Sequence, residues 1–112
     1  QGNMKRAYYL SREELNDADD IQIKLAEEVS FLNKAAIKKT LKNIKPNSVV
    51  TIDAKGTSYI ADDILEMIQD FANIRAKEED IDVRLVGFRT SYTPPEHAVK
   101  DSYVLIAHRR AM

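Results

Sequence analysis

Among its 112 residues the chain has no cysteine and no tryptophan, and only three glycines and three prolines. Without cysteine there are no disulfides and no thiolate metal sites, which fits a reducing cytosol. The glycines stand at Gly2, Gly56 and Gly87, too few and too scattered for a GxGxxG turn or a GxxxxGK loop. Lys55-Gly56-Thr57-Ser58 looks like a fragment of the second pattern, but the upstream glycine and the four-residue spacer are missing, so it reads as a turn. Charge of one sign is lacking too. Seventeen basic residues nearly balance eighteen acidic ones, for a formal net charge of −1. That balance gives no electrostatic reason to expect nucleic acid as a partner. The aromatic residues Tyr8, Tyr9, Tyr59, Phe88, Tyr92 and Tyr103 form no spaced stacking set with arginines, so a single-stranded nucleic-acid platform is rejected.

Long apolar runs are absent as well. No stretch approaches the roughly 20 residues that span a bilayer, and no basic start followed by an apolar run marks a secretion signal. Gln1-Gly2-Asn3 reads as the remnant a protease leaves on removing an affinity tag. Residues 1–3 are therefore set aside, and residues 4–112 are expected to form one domain cut from a longer parent, within the usual size of roughly 100–150 residues.

Support for catalysis is thin. The two histidines, His97 and His108, have no carboxylate at metal-ligand spacing apart from the adjacent Glu96. No serine or threonine has an evident histidine partner, so no activated nucleophile is expected. Asp62 and Asp63 are consecutive, and consecutive helical side chains diverge by about 100°, which suits a helix start better than acid–base work. The chain is expected to be non-enzymatic, with no cofactor and no metal.

What is present is an alternation of strands and helices. Arg6 to Leu10 reads as a first strand, Ser11 to Asp20 as a polar turn or loose hairpin connection, and Ile21 to Leu25 as a second strand with Gln22 and Lys24 on a wet face. Ala26 to Leu32 is a transition. Asn33 is placed to cap the helix that follows, where Ala36, Ile37, Thr40, Leu41 and Ile44 recur at helical spacing and Lys34, Lys38, Lys39 and Lys42 take the opposite face. That lysine face suits a solvated surface, an acidic partner or a membrane interface. Pro46-Asn47 turns the chain into Val49, Val50 and Ile52, a run that suits a strand buried on both faces.

A second helix is predicted from Asp62, with Ile64, Leu65, Ile68, Phe71, Ala72 and Arg75 in one stripe. Ile81 to Phe88 is another strand. Thr93-Pro94-Pro95 breaks the chain, and Ser102 to His108 reads as an edge strand, with a helix over His97 to Arg110 as the open alternative. Strands alternating with helical patterns imply a largely parallel core sheet. The expected fold is α/β: a mixed sheet of 4–5 strands with helices packed on it.

The segment Val49 to Ile68, VVTIDAKGTSYIADDILEMI, resembles the signature region of STAS domains. These are shared by bacterial anti-sigma-factor antagonists and the cytoplasmic tails of SulP anion transporters. The segment Ala26 to Ala35, AEEVSFLNKA, is similar to the approach to the first helix in STAS domains of bacterial SulP transporters, and Ile81 to Gly87 follows as the next strand. Laying Asp53 on the family's strand-end aspartate puts Ala61, Asp62 and Asp63 on its aspartate and two serines, the second of which a kinase phosphorylates in the antagonists. Asp63 cannot take that phosphate, so the resemblance implies a permanent charge rather than a kinase-operated switch.

The tail departs from the family. Many STAS domains carry a further helix after the strand that matches Ile81 to Phe88, whereas Arg89 to Glu96 is polar and broken by proline.

The resemblance implies a non-catalytic cytoplasmic domain of a SulP-type transporter of sulfate, bicarbonate or dicarboxylates. It would act through protein contacts on the cytoplasmic face of the plasma membrane. Its implied partners are its own membrane domain, in a homodimeric parent, and other cytosolic proteins, with weak nucleotide binding as a further implied property. The contact residues expected are Lys55, Thr57, Ser58, Tyr59, Asp62 and Asp63, all in the loop and helix start after the central strand. The alternative is a free-standing STAS protein that switches partners with an anti-sigma factor.

Overall fold

The computed structural model describes residues 8–15 and 18–95. Two hairpin strands come first, β1 (Tyr8–Leu15) and β2 (Ala18–Leu25), paired antiparallel with Tyr8 opposite Leu25 and Leu10 opposite Ile23. A short strand, β3 (Glu28–Val29), and a 3-10 turn (Phe31–Asn33) lead into α1 (Lys34–Lys42). The chain continues through β4 (Val49–Asp53), a short β5 (Tyr59–Ile60) and α2 (Asp62–Asp70). Without a break α2 passes into a π turn at Phe71–Arg75 and a last helical turn at Ala76–Glu78, and β6 (Asp82–Val86) follows.

The main sheet has the order β1-β2-β4-β6, and β3 and β5 pair as a separate two-stranded sheet. β2, β4 and β6 are mutually parallel, with Ile21, Val50 and Val83 in one row and Ile23, Ile52 and Leu85 in the next. The α/β class and the parallel core expected from the alternation of elements are both present. The possible strand or helix over residues 97–110 and the suspected remnant Gln1-Gly2-Asn3 lie outside the described residues.

Both helices lie on the same face of the sheet. Ile37 and Leu41 of α1 and Ile68 of α2 line one small cavity together with Ile23, Leu25 and Ile52 of the strands beneath. Successive parallel crossovers that step in one direction along a sheet place their helices on one side. This corrects the expectation that β4 is buried on both faces. Val50 and Ile52 are fully covered, whereas Val49, Thr51 and Asp53, which alternate with them, are only half-buried, beside exposed Gln22, Lys24, Asp82 and Arg84. A half-covered strand alternates, and the apolar run at Val49–Val50 concealed that period.

Three further elements differ from expectation. Within the polar stretch read as a loose connection, Ser11 to Leu15 and Ala18 to Asp20 extend the two hairpin arms, because backbone pairing along the ribbon needs no apolar side chains. Asn33 does not cap α1 through its side chain. Ser30 opens the preceding 3-10 turn instead, its Oγ accepting from Leu32 N–H at 3.3 Å, while Asn33 Oδ1 accepts from Ser30 N–H at 2.9 Å. The two residues form a capping box one turn earlier. The turn at Pro46-Asn47 is as expected: Asn47 adopts φ 66°, a left-handed conformation that asparagine tolerates, and its N–H donates to the Glu79 carbonyl.

Arg75, placed by its spacing in the apolar stripe of α2, turns out to hold the two helices together. Its guanidinium donates to the carbonyl oxygens of Leu41 and Ile44 at the end of α1, the latter at 2.5 Å, and pairs with Glu79 at 3.2 Å. The cation therefore sits against the negative end of the helix dipole, sharing the Leu41 carbonyl with the Ile44 N–H.

Candidate contact surface

The carboxyl ends of β4 and β6 form one rim of the molecule. Asp53 closes β4 by accepting the Lys55 N–H on Oδ1 at 2.8 Å, an Asx turn that reverses the chain. The Ala54 N–H donates to the Val86 carbonyl, which ties this turn to the end of β6. Gly87 follows in a left-handed conformation, φ 74°, and a β-carbon there would lie 2.8 Å from the Lys55 nitrogen. Only glycine satisfies both the torsion and the close approach.

Thr57 is buried, and its hydroxyl donates to the Ala26 carbonyl at 2.8 Å. The Ser58 side chain is exposed and donates to the Glu27 carbonyl at 3.1 Å. Tyr59 and Ile60 then pair with Glu28 and Val29, and both are buried. Burial, and after it the negative charges of Asp62 and Asp63, push the Tyr59 hydroxyl above its ordinary pKa of 10.0.

Helix α2 starts at this point. Ala61 occupies the cap position and offers no side-chain acceptor, so acidic Asp62 and Asp63 are the polar side chains of the first turn. Both are exposed, and Asp63 Oδ2 lies 3.2 Å from Lys34 Nζ on the first turn of α1. Negative charge at this end of a helix is favoured by its dipole.

The six residues singled out from the sequence do come together on one loop and helix start, though not on one exposed surface. Lys55, Ser58, Asp62 and Asp63 face solvent; Thr57 and Tyr59 are buried. The hydrogen bond from the Thr57 hydroxyl to the Ala26 carbonyl and the pairing of Tyr59 and Ile60 with β3 hold these side chains inward. Thr57 and Tyr59 thus anchor the loop, and the Thr57 hydroxyl is engaged within the fold. Lys34, which belongs to the surface through its ion pair, was visible only as one of several lysines on a helix face.

Among the described residues no group of three histidine, aspartate or glutamate side chains could hold a metal ion. Among the same residues no helix is long and apolar enough to cross a membrane. No protein-family model matches the chain, and no curated protein matches it.

Proposed function

We propose that the chain is a STAS-type domain that acts by protein contact, as the cytoplasmic regulatory part of a SulP-type anion transporter. The observation that carries this is the pair Asp62–Asp63, exposed at the start of α2 where the motif of the antagonists has its serines, with Asp63 held by Lys34. A fixed carboxylate in that position supplies a constant negative contact where a phosphorylatable residue would supply a regulated one. The sheet order β1-β2-β4-β6, with a parallel core and the loop after β4 at its rim, suits that role, because loops at the carboxyl ends of parallel strands are where such folds meet partners.

The proposed contact set is Lys55, Ser58, Asp62 and Asp63, with the transporter's own membrane domain as first partner and cytosolic proteins as others. Transport chemistry would belong to the membrane part, and the role assigned to this domain is non-catalytic. Weak nucleotide binding belongs to the same proposal. A thermal-shift panel of GTP, GDP and ATP tests it, with no shift at millimolar ligand counting against it.

The decisive experiment probes fractionated source cells with an antibody to this domain. A band several times heavier than 12.8 kDa, retained in membranes through a carbonate wash, is the expected result. A soluble band near that mass would overturn the transporter assignment in favour of a free-standing partner-switching protein.

A further inference from the structure

Two large apolar side chains stand exposed next to one another. Phe31 is 40% exposed and Leu32 66%, and the 3-10 turn that carries them, Phe31–Asn33, buries none of its residues. A single exposed apolar residue is ordinary on a protein surface. Here two are adjacent, and their backbone is fixed. The reciprocal bonds between Ser30 and Asn33 hold the turn, so little conformational freedom is left to lose when a partner covers it.

The fold sets this turn beside the loop and helix start described above. The Ala61 N–H donates to the Val29 carbonyl at 2.8 Å, just before the turn, and Lys34, just after it, is bound to Asp63. The Ser58 N–H and hydroxyl both donate to the Glu27 carbonyl. Residues 27–34 and 55–63 therefore form one patch. It holds four acids, Glu27, Glu28, Asp62 and Asp63, against two bases, Lys34 and Lys55. All six are exposed, and Lys34 is already engaged by Asp63. The other lysines of α1 begin with Lys38, a helical turn farther on.

We infer that Phe31 and Leu32 are the apolar anchor of the contact surface proposed above, on which this assignment rests. Its occupant is a basic segment of another protein, with apolar side chains beside lysine or arginine. Protein contacts set a few buried apolar anchors inside a polar rim. Phe31 and Leu32 supply the anchor here, and the acids supply the rim. Charge then decides among occupants. An anionic lipid surface would gain from the apolar pair but meet Glu27, Glu28, Asp62 and Asp63 as like charges. An acidic segment is opposed in the same way. A second copy related by a two-fold axis over the pair would set the same acids against one another. The α1 lysines bound the patch on one side, so the partner's cations lie toward Glu27, Glu28 and Asp62.

Panning a phage library of random linear peptides against the whole chain tests this. The selected sequences are expected to be enriched in lysine and arginine next to leucine, isoleucine or phenylalanine. A synthetic copy of the most enriched peptide should shift the amide resonances of residues 30–34 and 58–63. Phe31→Ser, Leu32→Ser and Asp62→Lys, each in its own chain, should weaken its binding at least about tenfold. All three positions are exposed, and circular dichroism checks that each variant is folded. No enrichment, enrichment of acidic sequences, or binding indifferent to Phe31 and Leu32 would overturn the inference. Binding of the chain to phosphatidylserine vesicles that is lost in Leu32→Ser would overturn it too, since the anchor would then belong to a membrane. Shifts at residues 55–63 without any at 30–34 would spare the contact role and sink the anchor. Shifts in neither segment would sink both.

Discussion

Lys34 Nζ lies 3.2 Å from Asp63 Oδ2, joining the first turn of α1 to the first turn of α2 across the helical layer. Both side chains are 48% exposed, so solvent screening leaves this pair little to contribute to stability. Asp63→Lys is expected to cost about 1 kcal/mol or less, summing the lost dipole interaction and the lost pair. If the chain is the transporter domain proposed above and its surface works by contact, anion uptake by that transporter should fall sharply in the same variant. Urea denaturation of the domain and an uptake assay on the parent separate the two effects. A large loss of stability with normal uptake would make Asp63 merely structural.

Arg75 should matter far more to the fold. Replacing it with methionine keeps the apolar stem but leaves the carbonyls of Leu41 and Ile44 without their cationic donor. The expected loss is about 2 kcal/mol. Arg75→Lys should recover only part of it, because an ammonium cannot reproduce the planar fork that reaches two carbonyls and Glu79 together. Chemical denaturation midpoints at constant slope would measure both.

Gly87→Ala is expected to destabilise by roughly 1–3 kcal/mol from the left-handed torsion alone. The approach of a β-carbon to within 2.8 Å of the Lys55 backbone adds to this. Since the clash falls on the loop after β4, amide exchange should quicken at Ala54 and Thr57, whose N–H groups hold that loop. An unchanged exchange pattern would show that the two loops move independently.

Tyr59 makes the fold sensitive to alkali. Its hydroxyl is held above the ordinary value by burial and then by Asp62 and Asp63, so the folded state retains the proton more tightly than the unfolded chain does. The contribution is therefore complete below the unfolded value near 10.0 and is lost as pH rises through the higher folded value. Tyr59→Phe should lose less stability than the wild type between neutral pH and the alkaline range. Thermal melts from pH 8 upwards, about two units below the ordinary tyrosine value, provide the comparison.

Much of the architecture could be read from residue order. The helical spacing of Ile37 and Leu41, the stripe from Ile64 to Phe71, and the alternation from Ile21 to Leu25 each mark an element that the structure contains. β3 and β5 could not be read this way, because two residues carry no period. The cap at Ser30 was hidden because Asn33 fits a cap position equally well, and only backbone geometry decides which residue bends the chain.

The sequence by itself determined the class of this protein, its lack of thiol chemistry, the segregation of charge between its helices, and the loop that carries its candidate surface. Those follow from composition and local spacing, which act over a few residues. Tertiary structure decided that both helices share one face of the sheet, that Arg75 closes the end of α1, and that Thr57 and Tyr59 point inward while Asp62 and Asp63 point out. Each depends on segments far apart in the chain meeting in space, and the burial, hydrogen bonds and ion pairs that result are properties of the contact.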